Sequence, residues 1–385
     1  MNINQSPSGK VIKSQTGYKY FIPNDLPPII EWDNNIINAL SRADHLLGML
    51  SQEGRKLPNP HLLIRPFITR EAVFSSKIEG TLSTVGEILA NDAGIEVKRN
   101  PDDLQEVHNY VAALEHSLKR LGQLPLSLRL IKESHSKLMQ GVRGSHATPG
   151  DFRVSQNWIG SPGCTLTTAK YVPPAPEELM NCLGKLELFM HDRDLPPLIH
   201  AAACHYQFEA IHPFLDGNGR MGRLLITLLL IERNVLPSPI LYLSAFFEAT
   251  RDEYYNNLYN VSSKGSWNEW LIYFLNGVAV QSEDVLSRAQ RINALIEKWQ
   301  ISIGGSSSTL MKVINLLAVN PYLTTKKISV ELNIAFTTAQ RAISKLEDRR
   351  IITQTNDSKR DKVYCSTEIL EILEEPAKIN SDQIF

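Results

Sequence analysis

Apolar residues recur at helical spacing along most of this chain, and the breaks in that rhythm mark its organisation. Ile37, Leu40, Ala43, Leu46, Leu47 and Leu50 predict an amphipathic helix over 34–52, broken at Gly54–Pro60. The pattern predicts further helices over 66–78, stopped by Gly80, and over 83–91, 102–121, 126–140, 177–191 and 197–210. It then predicts helices over 219–233, 250–263 and 266–299, the last with a kink near Gly277. Residues 1–28 read as a polar loop. Between 150 and 175, Gly, Pro, Thr and β-branched residues replace the helical period. Val154–Ile159 and Thr165–Val172, joined through Ser161-Pro162-Gly163, predict a small β-hairpin. Ile303-Gly304-Gly305-Ser306-Ser307-Ser308 reads as a linker. Beyond it, three short helices (310–318, 325–332, 337–348), a two-stranded wing over 353–365 tipped by Asn356-Asp357, and a last helix from Thr367 form the pattern of a winged helix-turn-helix. The expected fold is therefore mainly α, and the polar tail after Pro376 is expected to be unfolded.

Composition narrows the class further. At 385 residues and 43% apolar content the chain has ample material for two or three domains with sizeable cores. Forty Lys+Arg against 41 Asp+Glu leave a net charge of −1, so no overall field draws it to nucleic acid or membrane. The longest apolar run, near 224–231, is too short to span a bilayer, and the polar start resembles no signal peptide. Cys164, Cys182, Cys204 and Cys365 lack the spacing of a zinc site and predict reduced thiols in the cytoplasm.

The chemistry concentrates in one run, His212-Pro213-Phe214-Leu215-Asp216-Gly217-Asn218-Gly219-Arg220-Met221-Gly222-Arg223. Glycines at 217 and 219 permit a tight turn with outward amides, and the helix that follows adds its positive N-terminus. Together these form an anion site suited to phosphate. Arg220 and Arg223, three apart, predict two forks reaching the same oligophosphate. Asp216 offers an oxygen ligand for Mg²⁺, and His212 offers a general base for neutral pH.

The run resembles the signature of the Fic (filamentation induced by cAMP) family, His-Pro-Phe-x-(Asp/Glu)-Gly-Asn-Gly-Arg-x-x-Arg, at every fixed position. His205-Tyr206-Gln207-Phe208-Glu209-Ala210-Ile211 is similar to the family's lead-in helix. The resemblance implies a Fic-type helical core and transfer of AMP from ATP, with Mg²⁺, to a Ser, Thr or Tyr hydroxyl of a target protein or of the chain itself. It assigns His212 as catalytic and Asp216 as the metal ligand. The nucleotide falls to Gly217, Asn218, Gly219, Arg220, Met221, Gly222 and Arg223, with Tyr254 and Tyr255 in the adenine pocket. Ser75-Ser76-Lys77-Ile78-Glu79-Gly80 resembles the inhibitory motif of one Fic class, which implies that Ser75, Glu79 and Gly80 hold a clamp on Arg223. Residues 150–172 resemble the flap that borders the target site, on which a target backbone adds as a strand. The implied domains are an N-terminal helical segment with the inhibitory helix (1–100), a catalytic core with flap (101–300) and a winged helix-turn-helix (306–375). Thr337, Thr338, Gln340, Arg341, Ser344 and Lys345, with Lys359, Arg360 and Lys362 on the wing, make DNA a candidate partner. Removal of AMP, a DNA-binding regulator with a nucleotide-sensing core, an adaptor role and pairing of two copies stay open at this point.

Overall fold

The structure, a computed structural model, describes residues 3, 5–56, 60–142, 148–304, 308–356 and 360–377. The chain opens with an antiparallel hairpin, β1 (Gly9–Lys13) and β2 (Lys19–Pro23), registered Gly9 to Pro23. Helices α1 (Asn34–Lys56), α2 (Pro60–Ile78), α3 (Val85–Asp92), α4 (Pro101–Leu121) and α5 (Leu128–Leu138) follow, and after the flap segment come α6 (Pro176–Met190), α7 (Pro197–Ile211) and α8 (Asn218–Glu232). Next come α9 (Ser244–Ala249), α10 (Arg251–Lys264) and α11 (Trp267–Ser302). The remainder is α12 (Ser308–Val319), β3 (Tyr322–Thr324), α13 (Thr325–Glu331), α14 (Phe336–Asp348), β4 (Thr353–Gln354), β5 (Val363–Cys365) and α15 (Thr367–Glu374). The mainly helical class with a C-terminal winged helix is as the sequence predicts.

Helix α7 is apolar all round and buried along almost its whole length, from Leu198 to Ile211. Such a helix belongs at the centre of a core. It pairs with α8, whose Leu224, Leu225, Leu228 and Leu229 are fully buried, so the turn between them rests on a fully buried helix pair. Truncating one of these leucines to Ala costs about 2–5 kcal/mol. Around this pair lie α2, α4, α5, α10 and α11, while α1 runs along α11.

Several details depart from the expectation: α1 continues through Gly54 to Lys56, α2 begins at Pro60 and carries Pro66 inside it, and β3 adds a third strand to the C-terminal domain. Residues 1–28 are not all loop: β1 and β2 pair there, and Phe21 N–H donates to Val172 O at 2.9 Å, tying the hairpin to the flap. The flap closes through a single antiparallel bridge, Ile159 to Tyr171, rather than through two strands. Helix α11 runs unbroken through Gly277, where a Cβ would lie 2.7 Å from the Phe246 ring; the glycine serves close packing. Helix α9 was not anticipated. Residues 305–307 of the linker, Asp357 and Lys359 at the wing tip, and the tail from 378 lie outside the described residues.

Candidate active site

The site is built at the turn between two buried helices. Helix α7 ends at His212, whose φ of +50° lies in the left-handed region. A non-glycine residue there stores about 1–2 kcal/mol of strain, which surrounding contacts must hold. Asn218 closes the turn from the other end. Phe214 N–H donates to its Oδ1 and its Nδ2 donates to Phe214 O, both at 2.8 Å. The Asn218 side chain is thus spent on the loop, and what it offers an anion is its backbone position at the start of α8. Gly217 requires its glycine twice over, for a φ of +76° and because a Cβ would meet Met139 Sδ at 2.7 Å.

His212 Nδ1 faces Glu209 O at 3.3 Å, so the Nδ1–H tautomer leaves Nε2 with its lone pair. Burial pushes the imidazole down to about 4, against the favourable Glu209 carbonyl. The ring is therefore neutral across the physiological range and able to accept a proton.

Arg223 reaches α2. Its Nε donates to Ser75 Oγ at 2.9 Å, and its Nη2 donates to Ser75 O at 2.8 Å and Glu79 Oε1 at 2.7 Å. Burial of Arg223 works against its charge, but Glu79 outweighs it and holds the guanidinium above its ordinary value. Conversely, burial raises the Glu79 carboxyl and Arg223 more than offsets it, leaving Glu79 below the usual range. Glu79 Oε1 rests against Gly219, where any Cβ would overlap it, so the carboxylate occupies the start of α8. That is where the helix dipole and free amides favour an anion. Gly80, at φ +102°, ends α2 immediately afterwards.

Arg220 takes a different direction from Arg223. Its Nη1 donates to buried Glu106 Oε2 at 3.1 Å, its Nη2 contacts Met139 Sδ, and Asp216 Oδ1 lies 3.9 Å away. The two forks diverge to α4 and α2. Asp216 is half exposed. Its Oδ1 accepts from Gly217 N–H at 2.6 Å. One exposed carboxylate beside a phosphate-type loop fits Mg²⁺, which takes one or two carboxylates and completes its shell with phosphate and water.

Met221 is fully buried, and the Gly222 carbonyl pairs with His205 Nδ1 at 3.0 Å, so neither presents a side chain to a ligand. Tyr254 is likewise packed in the core, 1% exposed, with its hydroxyl 2.8 Å from His205 Nε2 and its ring stacked on Phe247 at 4.5 Å. Only Tyr255, 38% exposed, has ring surface to offer a base.

Several contributors were not visible in the sequence. His135 Nε2 donates to Asp216 O and its Nδ1 accepts from Gly150 N–H, both at 2.9 Å, while its ring stacks on Phe214 at 3.6 Å. Burial pushes it down to about 4, which suits this neutral, two-sided brace. Burial raises the Glu209 carboxyl to about 7; its Oε1 lacks a hydrogen-bond partner among the described residues and fills the space a Cβ at Gly222 would take. Glu106, Arg153 and Asn157 complete the set.

Residues 37–119 match the Fic/DOC family N-terminal region, 125–230 match the Fic/DOC family, and 307–353 match a winged helix-turn-helix DNA-binding family. Proteins named Protein adenylyltransferase Fic from Drosophila virilis and Drosophila persimilis are each 30% identical over 141 residues. The match covers 34% of this chain and 26% and 25% of theirs, so it spans about a quarter of those relatives. The fold is similar to that of a Fic family protein from Desulfovibrio desulfuricans G20, with a TM-score of 0.59 and 21% identity over 89% of this chain and 98% of that one. A Fic-1 fragment from C. elegans gives a TM-score of 0.51 and 22% identity over 66% of this chain and 73% of the fragment. No helix among the described residues is long and apolar enough to cross a membrane. The chain thus carries a Fic/DOC family N-terminal region and a Fic/DOC family region, followed by a winged helix-turn-helix domain.

Proposed function

We propose that the protein is an autoinhibited protein adenylyltransferase. Residues 1–100 supply the inhibition, 101–300 the chemistry and 306–375 a regulatory or DNA-binding module. The observation that carries this reading is the Glu79 carboxylate seated on Arg223 at the start of α8, with the neutral His212 imidazole at the other end of the same turn. A carboxylate in an anion site marks where a substrate anion belongs, and ATP is the donor consistent with relatives named adenylyltransferase.

In the open state the Gly217–Gly219 backbone and the α8 N-terminus receive the phosphates, and Arg223, released from Glu79, takes the outer ones. Arg220 adds charge from behind the loop through the position Glu106 gives it. Mg²⁺ held by Asp216 would neutralise charge on the phosphates. His212 Nε2 accepts the proton of a Ser, Thr or Tyr hydroxyl; that oxygen bonds to the α-phosphorus, the α–β bridging bond breaks and pyrophosphate leaves. Positioning and charge neutralisation carry most of the rate, and the base contributes about 10²–10⁴-fold. With Glu79 in place, Arg223 cannot hold a carboxylate and a γ-phosphate on the same fork, and ATP lacks its productive pose.

The test is to offer α-labelled and γ-labelled ATP with Mg²⁺ to the Glu79→Gly chain and its His212→Ala derivative. Label entering protein only from the α-position, and only with His212 present, is the expected result. Transfer of γ-label, or release of AMP from a premodified protein as the dominant reaction, would replace this reading.

A further inference from the structure

The flap residues that grip His212 have no role in the reaction just described. Arg153 is 2% exposed and hydrogen-bonds only carbonyls: His212 O at 2.9 Å from Nε, Pro174 O at 2.6 Å from Nη2, and Ser155 O and Ile211 O at 3.3 and 3.4 Å. Its backbone N–H donates to Pro213 O at 2.9 Å. Asn157 Nδ2 donates to the same His212 O at 3.2 Å and to Phe214 O at 2.8 Å. Two side chains from one end of the flap thus converge on the carbonyl of a residue held at a positive φ. A buried guanidinium on the last carbonyls of α7 is favoured by the helix dipole, and its planar fork can bridge several acceptors where an ammonium cannot. The contacts join the flap, the strained turn and the base into one body.

We propose that Arg153 and Asn157 are positioning residues for His212: they lock the base to the surface on which the target lies, so that the target's register on the flap sets its hydroxyl's distance from Nε2. The inference rests on the proposed transferase reading. In the Glu79→Gly chain, Asn157→Ala and Arg153→Lys should each lower the transfer turnover about 10- to 100-fold, since a displacement near 1 Å is worth about that much. The KM for ATP should stay within about twofold. Asn157→Ala deletes only a half-buried amide, so the chain should stay folded at the assay temperature with at most a few degrees lost in melting temperature, and turnover is counted per folded molecule. A purely structural role predicts a loss of folded protein with unchanged turnover per folded molecule. Unchanged turnover in both variants of an active Glu79→Gly chain would overturn this inference alone. No transfer by Glu79→Gly itself would remove the transferase reading and this inference with it.

An independent set of contacts concerns the other side of the inhibitory helix. Glu71, Ser75 and Glu79, four apart, face the core; Glu71 bonds Ser244 and Tyr110. Arg70, on the same helix but another face, donates from Nη1 to Leu373 O at 2.7 Å, at the C-terminus of α15. Arg288 of α11 caps the same end at Ile372 O and Glu375 O, Glu374 Oε1 accepts from Gly86 N–H at 2.9 Å, and Asn320 Nδ2 donates to Leu89 O at 2.9 Å. Arg70 thus ties α2 directly to the winged-helix domain, and Glu374 and Asn320 tie the neighbouring α3 to it, with the catalytic core on the other side of α2. We infer that this domain braces the inhibitory helix in its clamped position. Arg70→Met, and separately Asn320→Ala with Glu374→Ala, should raise transfer by the otherwise unaltered chain about 5- to 30-fold, the effect of losing one or two such bonds from the clamped state. Neither should add to Glu79→Gly, and hydrogen exchange of residues 64–78 should quicken. Transfer no higher than that of the parent in both variants, with Glu79→Gly active, would overturn the brace.

Discussion

The start of α8 and the exposed face of α14 both gather cations, and they treat them in opposite ways. At α8, Arg220 and Arg223 are about 3% and 2% exposed, and each is committed to a named carboxylate, Glu106 on α4 and Glu79 just past the end of α2. At α14, Arg341 and Lys345 stand in solvent, with Arg360 and Lys362 exposed on the wing and Glu347 and Asp348 interspersed. Buried charge is expensive unless paired with good geometry, so one lost partner there changes what the site can bind. Exposed charge is screened, so each cation adds a small, salt-dependent increment. Under the proposed reading the first arrangement acts as a switch and the second as an electrostatic surface.

Breaking the buried side should give the largest effects. His212→Ala in the Glu79→Gly chain should lower the turnover for AMP transfer about 10²–10⁴-fold with ATP affinity retained, as read by single-turnover labelling. Glu106→Gln comes next. It leaves Arg220 without its ionic partner and should lower transfer about tenfold, an effect that salt up to about 0.5 M should not reproduce if the pair is as buried as it stands. The pH profile sharpens the contrast. Burial holds His212 down to about 4, so its base form, present above that value, should keep transfer by Glu79→Gly nearly flat from about pH 5.5 to 8. The rate should fall only as pH approaches about 4, and an acid limb centred near 6.5 would show an exposed, unshifted imidazole instead. The smallest effects belong to α14. If DNA binds there, Arg341→Ala or Lys345→Ala should weaken duplex binding several-fold, near-uniformly across sequences for a phosphate contact, and lower the salt slope by about one each. Binding indifferent to salt would assign this face to a protein partner.

The same contrast explains what could be read in advance. The loop 212–223 was legible because its chemistry is local: turn glycines, base, carboxylate and cations lie within one short run. Ser75 and Glu79 were legible through their motif, and both meet Arg223. Arg153, Asn157, His135 and Glu106 were not, because each acts on the loop from 55 to 114 residues away and carries no local signature. The divergence of Arg220 from Arg223 was hidden for the same reason. Helical spacing puts two residues on a face, but their partners on α4 and α2 decide where the forks point. Tyr254 and Tyr255 show the limit of composition: adjacent, identical residues end in core and surface because the helix turns by about 100° between them. In the fold, β1 and β2 were not legible because Phe21 packs on Tyr171, and Ile12 and Ile22 pack against Tyr20, Ala169 and Val172, long-range contacts that no local alternation reveals.

The most direct test of the central claim, that Glu79 and the triphosphate compete for Arg223, is α-labelled AMP transfer by the unaltered chain and by Glu79→Gly at matched ATP and Mg²⁺. The account predicts little label in the unaltered chain and strong self-labelling once Glu79 is gone. Equal labelling of the two would mean that the carboxylate at the start of α8 blocks nothing, and the clamp would have to be abandoned.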